Sequence, residues 1–221
     1  MDQAEAPERP LRKDAERNRR RILDAARELF ADQGLGVTLN DVAHHAGVGV
    51  GTVYRRFPDK SLLIEELFEQ QIEELVGLME EAVEDPDPWR GLTGYLRRNL
   101  ELQTRDRALR EIVMGTPEGA QRIGRIRARM FPLGARLVQR AKDAGKLRAD
   151  FEAADFPVLV LMLTAIVDAS REVEPELWRR YLEIVIQGLR AHPTPPAAFA
   201  NPPLDADQVP NVMAAFKLPR R

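Results

Sequence analysis

An all-α fold of about nine helices is what this sequence predicts, on three observations. Apolar residues recur at three- and four-residue spacing along most of the chain. Ala, Leu, Glu and Arg, all good helix formers, are plentiful, whereas β-branched and aromatic residues are modest. No stretch shows the convincing apolar-polar alternation of a strand. At 221 residues the chain can bury a substantial core, as one large domain or as a small one joined to a larger one.

The elements follow in order. Residues 1–16 are expected to be a disordered basic arm. From Arg17 the pattern turns helical, with Ile22, Ala25, Ala26, Leu29 and Phe30 on one stripe. Gly34 ends this helix as a C-cap glycine. Thr38 opens the next, and Asp41 three residues on completes a capping-box-like pair. Leu39, Val42, Ala43 and Ala46 form its inner face, and Gly47 stops it. A third short helix runs to about Phe57, which Pro58 biases out of the helical region. Asp59 can cap a fourth, which carries Leu62, Leu63, Leu67, Ile72, Leu75 and Leu78 toward Glu84. Asp85-Pro86-Asp87-Pro88 is a clear break. A fifth helix is striped by Trp89, Leu92, Thr93, Leu96 and Leu100. A sixth covers about Ala108–Met114, ended by Gly115-Thr116-Pro117. Ile123, Ile126, Met130, Leu133, Leu137 and Ala141 stripe a long seventh, with Pro132 as the place for a bend and Gly145 as its cap. Residues 153–170 and 175–191 form the last two. Residues 192–221 hold 7 of the 16 prolines and read as an extended tail. Within it only Asn211–Phe216 could turn helical.

Composition excludes several functions. The net charge of −2 rules out a wholly basic nucleic-acid coat. The charge is uneven, however: Arg9 to Arg27 holds eight Lys or Arg against three acids. Such a run raises affinity for phosphate if nucleic acid lies nearby; otherwise it is a solvated arm. With no Cys there is no disulfide, thiol catalysis or thiolate metal site. Adjacent His44 and His45 point about 100° apart on a helix, with no third ligand beside them, so no metal site is expected. The longest apolar run, 156–167, is too short for a bilayer, which needs about 20 residues. The charged N-terminus lacks a leader's apolar stretch, so a cytoplasmic protein without membrane contact is expected. No nucleophile-base pair or phosphate loop is visible. Gly47-Val48-Gly49-Val50-Gly51 has the wrong spacing and no preceding strand. Neither an enzyme nor a cofactor is expected.

The informative stretch runs from Thr38 to Phe57. It reads as two short helices joined by a tight turn. Ala43 is small where the helices cross, Gly47 permits a left-handed turn, and Val48 and Val53 fill the space between. This is the design of a helix-turn-helix, whose second helix enters the major groove of DNA.

The residues from about Arg21 to Leu67 resemble the TetR/AcrR family of transcriptional regulators. The likeness lies in Ile22-Leu23-Asp24-Ala25-Ala26-Arg27-Glu28-Leu29-Phe30, the Gly34 turn, Thr38 through Tyr54, then Phe57, Pro58 and Lys60. Beyond Leu67 it is architectural. The resemblance implies a helix-turn-helix DNA-binding domain in 17–64, a ligand-binding and dimerisation bundle in 65–191, and a Pro-rich tail in 192–221. It implies phosphate contacts at Thr38 and Lys60, and Thr52 and Tyr54 reaching the groove or its backbone. Arg55 and Arg56 add charge near the DNA, and either can take guanine O6 and N7 bidentately, worth about 1–3 kcal/mol of discrimination. The chain departs from the family at Gly49, which offers no capping side chain, and at Val50, limited to apolar contacts such as a thymine methyl. With Gly51 behind them, the front of the helix is poor in hydrogen-bonding groups. Base readout is therefore expected to lean on Tyr54, Arg55 and DNA shape.

For the bundle, the resemblance implies a small-molecule effector that releases the protein from DNA. Trp89, Thr93, Leu96, Met114, Met130, Phe131 and Met162 are the candidate lining, though each could simply be core. Thr93, Tyr95 and Thr164 could orient a ligand, and Arg125, Arg127 and Arg129 leave an anionic one open. Residues 153–191 are apolar on more than one face, which suits a homodimer built as a four-helix bundle. Leu163, Val167, Trp178, Tyr181 and Val185 are the expected interface. A dimer would set two recognition helices about 34–36 Å apart on a palindromic double-stranded operator. Effector binding would shift the dimer away from that spacing, with the helix ending near Glu84 as the lever. Repression is the favoured mode. Activation, and a helical DNA-binding dimer without ligand control, stay open.

Overall fold

The computed structural model describes residues 8–105, 117–194, 199–205, 207–209 and 211–212. Among them lie eight α-helices: α1 Glu8–Gln33, α2 Leu39–Ala46, α3 Val50–Arg56, α4 Lys60–Glu84, α5 Pro88–Arg105, α6 Pro117–Asp143, α7 Asp155–Ser170 and α8 Leu177–Leu189. A 3-10 turn, Gly34–Gly36, links α1 to α2. No strand occurs among the described residues, only an isolated antiparallel bridge between Leu147 and Arg190. The helix expected at 108–114, and Met114 with it, lies outside the described residues. They fall into two compact units, divided within α4 between Gln71 and Ile72.

The first unit closes around Ile22, Leu23, Ala26 and Phe30 of α1, Val42 and Ala43 of α2, Val53 of α3, and Phe57, Leu63 and Leu67. The helix α1 starts at Glu8, so residues 8–16, expected as a disordered arm, are its first turns. No Gly or Pro interrupts the chain from Leu11 to Gln33. Pro10 falls in the first turn, where its missing N–H has no helical partner to lose. Ion pairs one turn apart add support: Asp14 with Arg17 at 2.9 Å, and Glu16 with Arg19 at 3.2 Å and Arg20 at 3.5 Å.

The second unit is built on the inner faces of α5 to α8. Leu92, Leu96 and Leu100 of α5 pack with Leu137 of α6, Leu163 and Val167 of α7, and Trp178, Leu182 and Ile186 of α8. Tyr95 stacks obliquely on Phe156, ring centroids 5.7 Å apart, and burial pushes its phenol pKa up. The Asp-Pro-Asp-Pro break is a capping device: Asp87 Oδ1 accepts from the Trp89 N–H at 2.9 Å. Gly91 is required by close approach, since a Cβ there would sit 2.3 Å from the Ala82 carbonyl oxygen. Helix α6 continues through Pro132. In the tail, Phe199 lies 4.2 Å from the Arg148 guanidinium and Val209 is buried.

Candidate nucleic-acid interface

The helix-turn-helix is assembled by local chemistry. Thr38 caps α2: its hydroxyl accepts from the Asp41 N–H at 3.2 Å and donates to Asp41 Oδ2 at 2.6 Å, and its own N–H reaches the same carboxylate at 2.8 Å. These bonds, the hydroxyl's first and the backbone's next, hold the Asp41 carboxyl below its ordinary pKa. Gly47 ends α2 in the left-handed conformation, φ 61°. The N–H groups of Gly47 and Val48 close onto the carbonyls of His44 and Ala43, a Schellman turn. From α1, Arg21 Nη2 donates to the Ala46 carbonyl at 2.7 Å and to that of Gly47 at 3.2 Å, so the turn is braced from outside.

Helix α3 starts at Gly49 without a side-chain cap. Val53 is buried beneath it. The outward face, one stripe at helical spacing, carries Val50, Gly51, Tyr54 and Arg55, all exposed. Thr52 is half-buried beside them, its hydroxyl 3.5 Å from Arg55 Nη2. The two arginines differ. Arg55 stands on the outward face. Arg56 leans back toward Glu66 of α4 at 3.7 Å, and that carboxylate also binds Arg19 of α1. Lys60, at the start of α4, lies half-buried with its ammonium 5.7 Å from the Phe30 ring. Both hydrogen-bond donors of Thr38 turn to Asp41, so a phosphate would have to compete with that carboxylate for them.

Two residues of this unit were not foreseen, Arg21 and Glu66. Both act on partners far along the chain, and Arg21 sits within a run of three arginines. Nothing in spacing marks either one. His45 lies 2.7 Å from Glu28, and no three His, Asp or Glu side chains gather as a metal site among the described residues.

In the second unit, the expected lining is scattered in exposure. Leu96 is buried, and Trp89, Thr93, Met130 and Phe131 are half-buried. The Thr93 hydroxyl donates to the Trp89 carbonyl at 2.9 Å, and Arg190 lies over the Trp89 ring at 5.1 Å. Met162 is corrected: at 61% exposure it stands on the outer face of α7 and cannot enclose a ligand within the unit. Arg129 is half exposed and bonds Glu73 at 2.8 Å. The expected dimer contacts also need correction. Leu163, Val167 and Trp178 belong to the unit's own core, Trp178 only 1% exposed, so they have almost no surface to give a partner. Tyr181 and Val185 stay accessible, and Ile184 joins them at 55% exposure. Tyr181, Ile184 and Val185 follow the helical spacing of a second apolar stripe.

Comparison with known proteins agrees with this architecture. Residues 22–67 match the bacterial regulatory proteins of the tetR family. Residues 87–191 match the SbtR-like transcriptional regulator C-terminal domain. An HTH-type transcriptional regulator of Staphylococcus aureus is 46% identical over 52 residues, 23% of this chain and 28% of the relative. The chain thus matches little more than a quarter of the length of that curated relative. Among solved structures, a TetR regulatory protein from Mycobacterium vanbaalenii superposes with a TM-score of 0.65 at 29% identity, over 82% of this chain and 99% of that one. A TetR transcriptional regulator from Streptomyces coelicolor gives 0.61 at 25% identity, over 78% of this chain and 98% of that one.

Proposed function

This chain belongs to the TetR family of DNA-binding transcriptional regulators, and we propose that it is a homodimeric repressor of a palindromic operator, released by a small-molecule effector. The observation that carries the reading is the outward face of α3. A helix braced by a capping box, a Schellman turn and Arg21 presents Val50, Gly51, Tyr54 and Arg55 to a partner. Its only charged group is the Arg55 guanidinium, which suits a guanine edge. Val50 suits a thymine methyl. Arg56, drawn toward Glu66, Lys60 at the start of α4, and Thr38 at the cap of α2 serve the phosphate backbone.

The second unit supplies pairing and control. The outer faces of α7 and α8 expose Met162, Tyr181 and Ile184, with Val185 half-buried beside them. A second copy would cover this surface about a two-fold axis. Helix α4 carries residues of both units, Lys60–Gln71 and Ile72–Glu84, and is the covalent route from effector to DNA. The effector acts by binding unequally to two dimer states, only one of which matches the groove spacing. The family consists of transcription factors and not enzymes. No helix among the described residues is long and apolar enough to cross a membrane.

Arg55→Ala tests the reading. Binding to the preferred operator is expected to weaken by about 1–3 kcal/mol, with the loss confined to one base position in each half-site. Competition with operators mutated one position at a time measures this. Equal weakening on every sequence would make Arg55 a phosphate contact and leave readout to Tyr54 and DNA shape.

A further inference from the structure

Three polar atoms in the second unit have no hydrogen-bond partner among the described residues: Asn99 Nδ2 on α5, Trp178 Nε1 on α8 and Ser170 Oγ at the end of α7. Their residues are each more than nine-tenths buried. Folded proteins rarely leave such groups unsatisfied, and those that persist call for an explanation. Asn99 Oδ1 has a long contact at 3.5 Å from Gln103 Nε2; its amide hydrogens have none.

The first two lie on neighbouring helices. Glu101, two residues beyond Asn99, pairs with Arg179, the neighbour of Trp178, at 3.3 Å. That ion pair joins α5 to α8 on the outside. Asn99 and Trp178 lie on the buried sides of the same helices, within a helical turn of it along each axis. Ser170 closes α7, and residues 171–176 lead from it to α8. The core of this unit is apolar, with Leu96, Leu100, Leu163 and Val167 beside Tyr95 and Phe156. Among the described residues, the buried polar side chains of this unit are Asn99, Thr164 and Ser170, and none carries a charge. Thr164 is already satisfied, donating to the Val160 carbonyl at 2.9 Å.

We propose that the effector is a neutral, largely apolar molecule whose acceptor oxygens are held by Asn99 Nδ2 and Trp178 Nε1. This rests on the reading of the second unit as the effector-binding one. Two N–H donors ask for ketone, ester or ether oxygens. A carboxylate or ammonium at this depth would lose its water with no buried counter-charge among the described residues to replace it. Arg129 does not serve an anion, because its guanidinium is engaged by Glu73 and lies near Glu80.

The test uses the full chain with 2-undecanone and methyl decanoate as neutral probes and undecanoate as the anion of matched length. Nitrogen-15 spectra follow the two indole N–H signals, assigned with Trp89→Phe. The neutral probes are expected to move the Trp178 signal and to bind at least tenfold more tightly than undecanoate. Asn99→Leu is expected to weaken their binding at least tenfold. In the ligand-free protein it removes an unsatisfied donor, and the melting midpoint is expected to rise by about 2–4 °C. Tighter binding of undecanoate would overturn the proposal. So would no response of Trp178 to either neutral probe, or a midpoint lowered by Asn99→Leu, which would make the amide a structural partner. Probe binding at Trp178 with no release of operator DNA would uphold this site and refute effector control, so the two readings fail separately.

Discussion

Replacing Ile184 by aspartate is expected to convert the protein to monomers and to weaken operator binding at least a hundredfold. Ile184 is 55% exposed on α8, close to Tyr181 at 41%. In a two-fold interface each residue meets its partner patch twice, so one substitution places two carboxylates in apolar surroundings. Burying an unpaired charge costs several kcal/mol or forces the interface open. The fold of one chain does not depend on this side chain, so circular dichroism should be unchanged. Sedimentation and operator titration on the same sample measure the two effects. Leu163→Ala is the contrast. Leu163 is buried within the unit, so its loss should lower stability by about 2–5 kcal/mol without a specific effect on pairing. An intact dimer with Ile184→Asp would remove this face as the interface.

Gly47→Val is expected to unfold the helix-turn-helix while leaving the second unit folded. At φ 61° a side chain is disfavoured by about 1–2 kcal/mol, and a branched one by more. Its Cβ would also lie 2.9 Å from Arg21 Nη2, the group that braces the Ala46 and Gly47 carbonyls. Strain is therefore introduced at the same position where the Arg21 brace is displaced. Both tryptophans, Trp89 and Trp178, lie in the second unit. Tryptophan fluorescence should keep its wild-type transition while helical circular dichroism loses amplitude at a lower temperature and DNA binding disappears. A single shared transition for both probes would contradict this account of the turn.

The parts of this fold that were legible in the sequence are those set by near neighbours. Thr38 and Asp41, three residues apart, announce the cap of α2, and Gly47 announces its end. The local pattern of two helices and a turn puts Val53 inside, where it is buried, whereas Tyr54, exposed at 45%, is turned outward only by the family resemblance. The charge of residues 8–16 suggests an arm, but Asp14, Glu16 and their arginines pair along α1, which starts at Glu8. Partners distant in sequence stayed hidden: Arg21 on the turn, and Glu66 between Arg19 and Arg56. On α7 and α8 the sequence showed that two faces are apolar, but not which one is covered by the chain itself. Trp178, expected at the interface, lies inside, whereas Ile184 is exposed. The unpartnered Asn99 amide has no sequence signature, since only packing decides whether an asparagine on an apolar stripe finds an acceptor.

The measurement that tests the central claim most directly is selection of bound duplexes from a random pool by the purified full-length chain at physiological salt. A dimeric, sequence-reading regulator predicts one enriched palindrome with half-sites about one helical turn apart. Binding that falls steeply with salt and enriches no sequence would contradict it, leaving a protein that holds phosphate without reading bases.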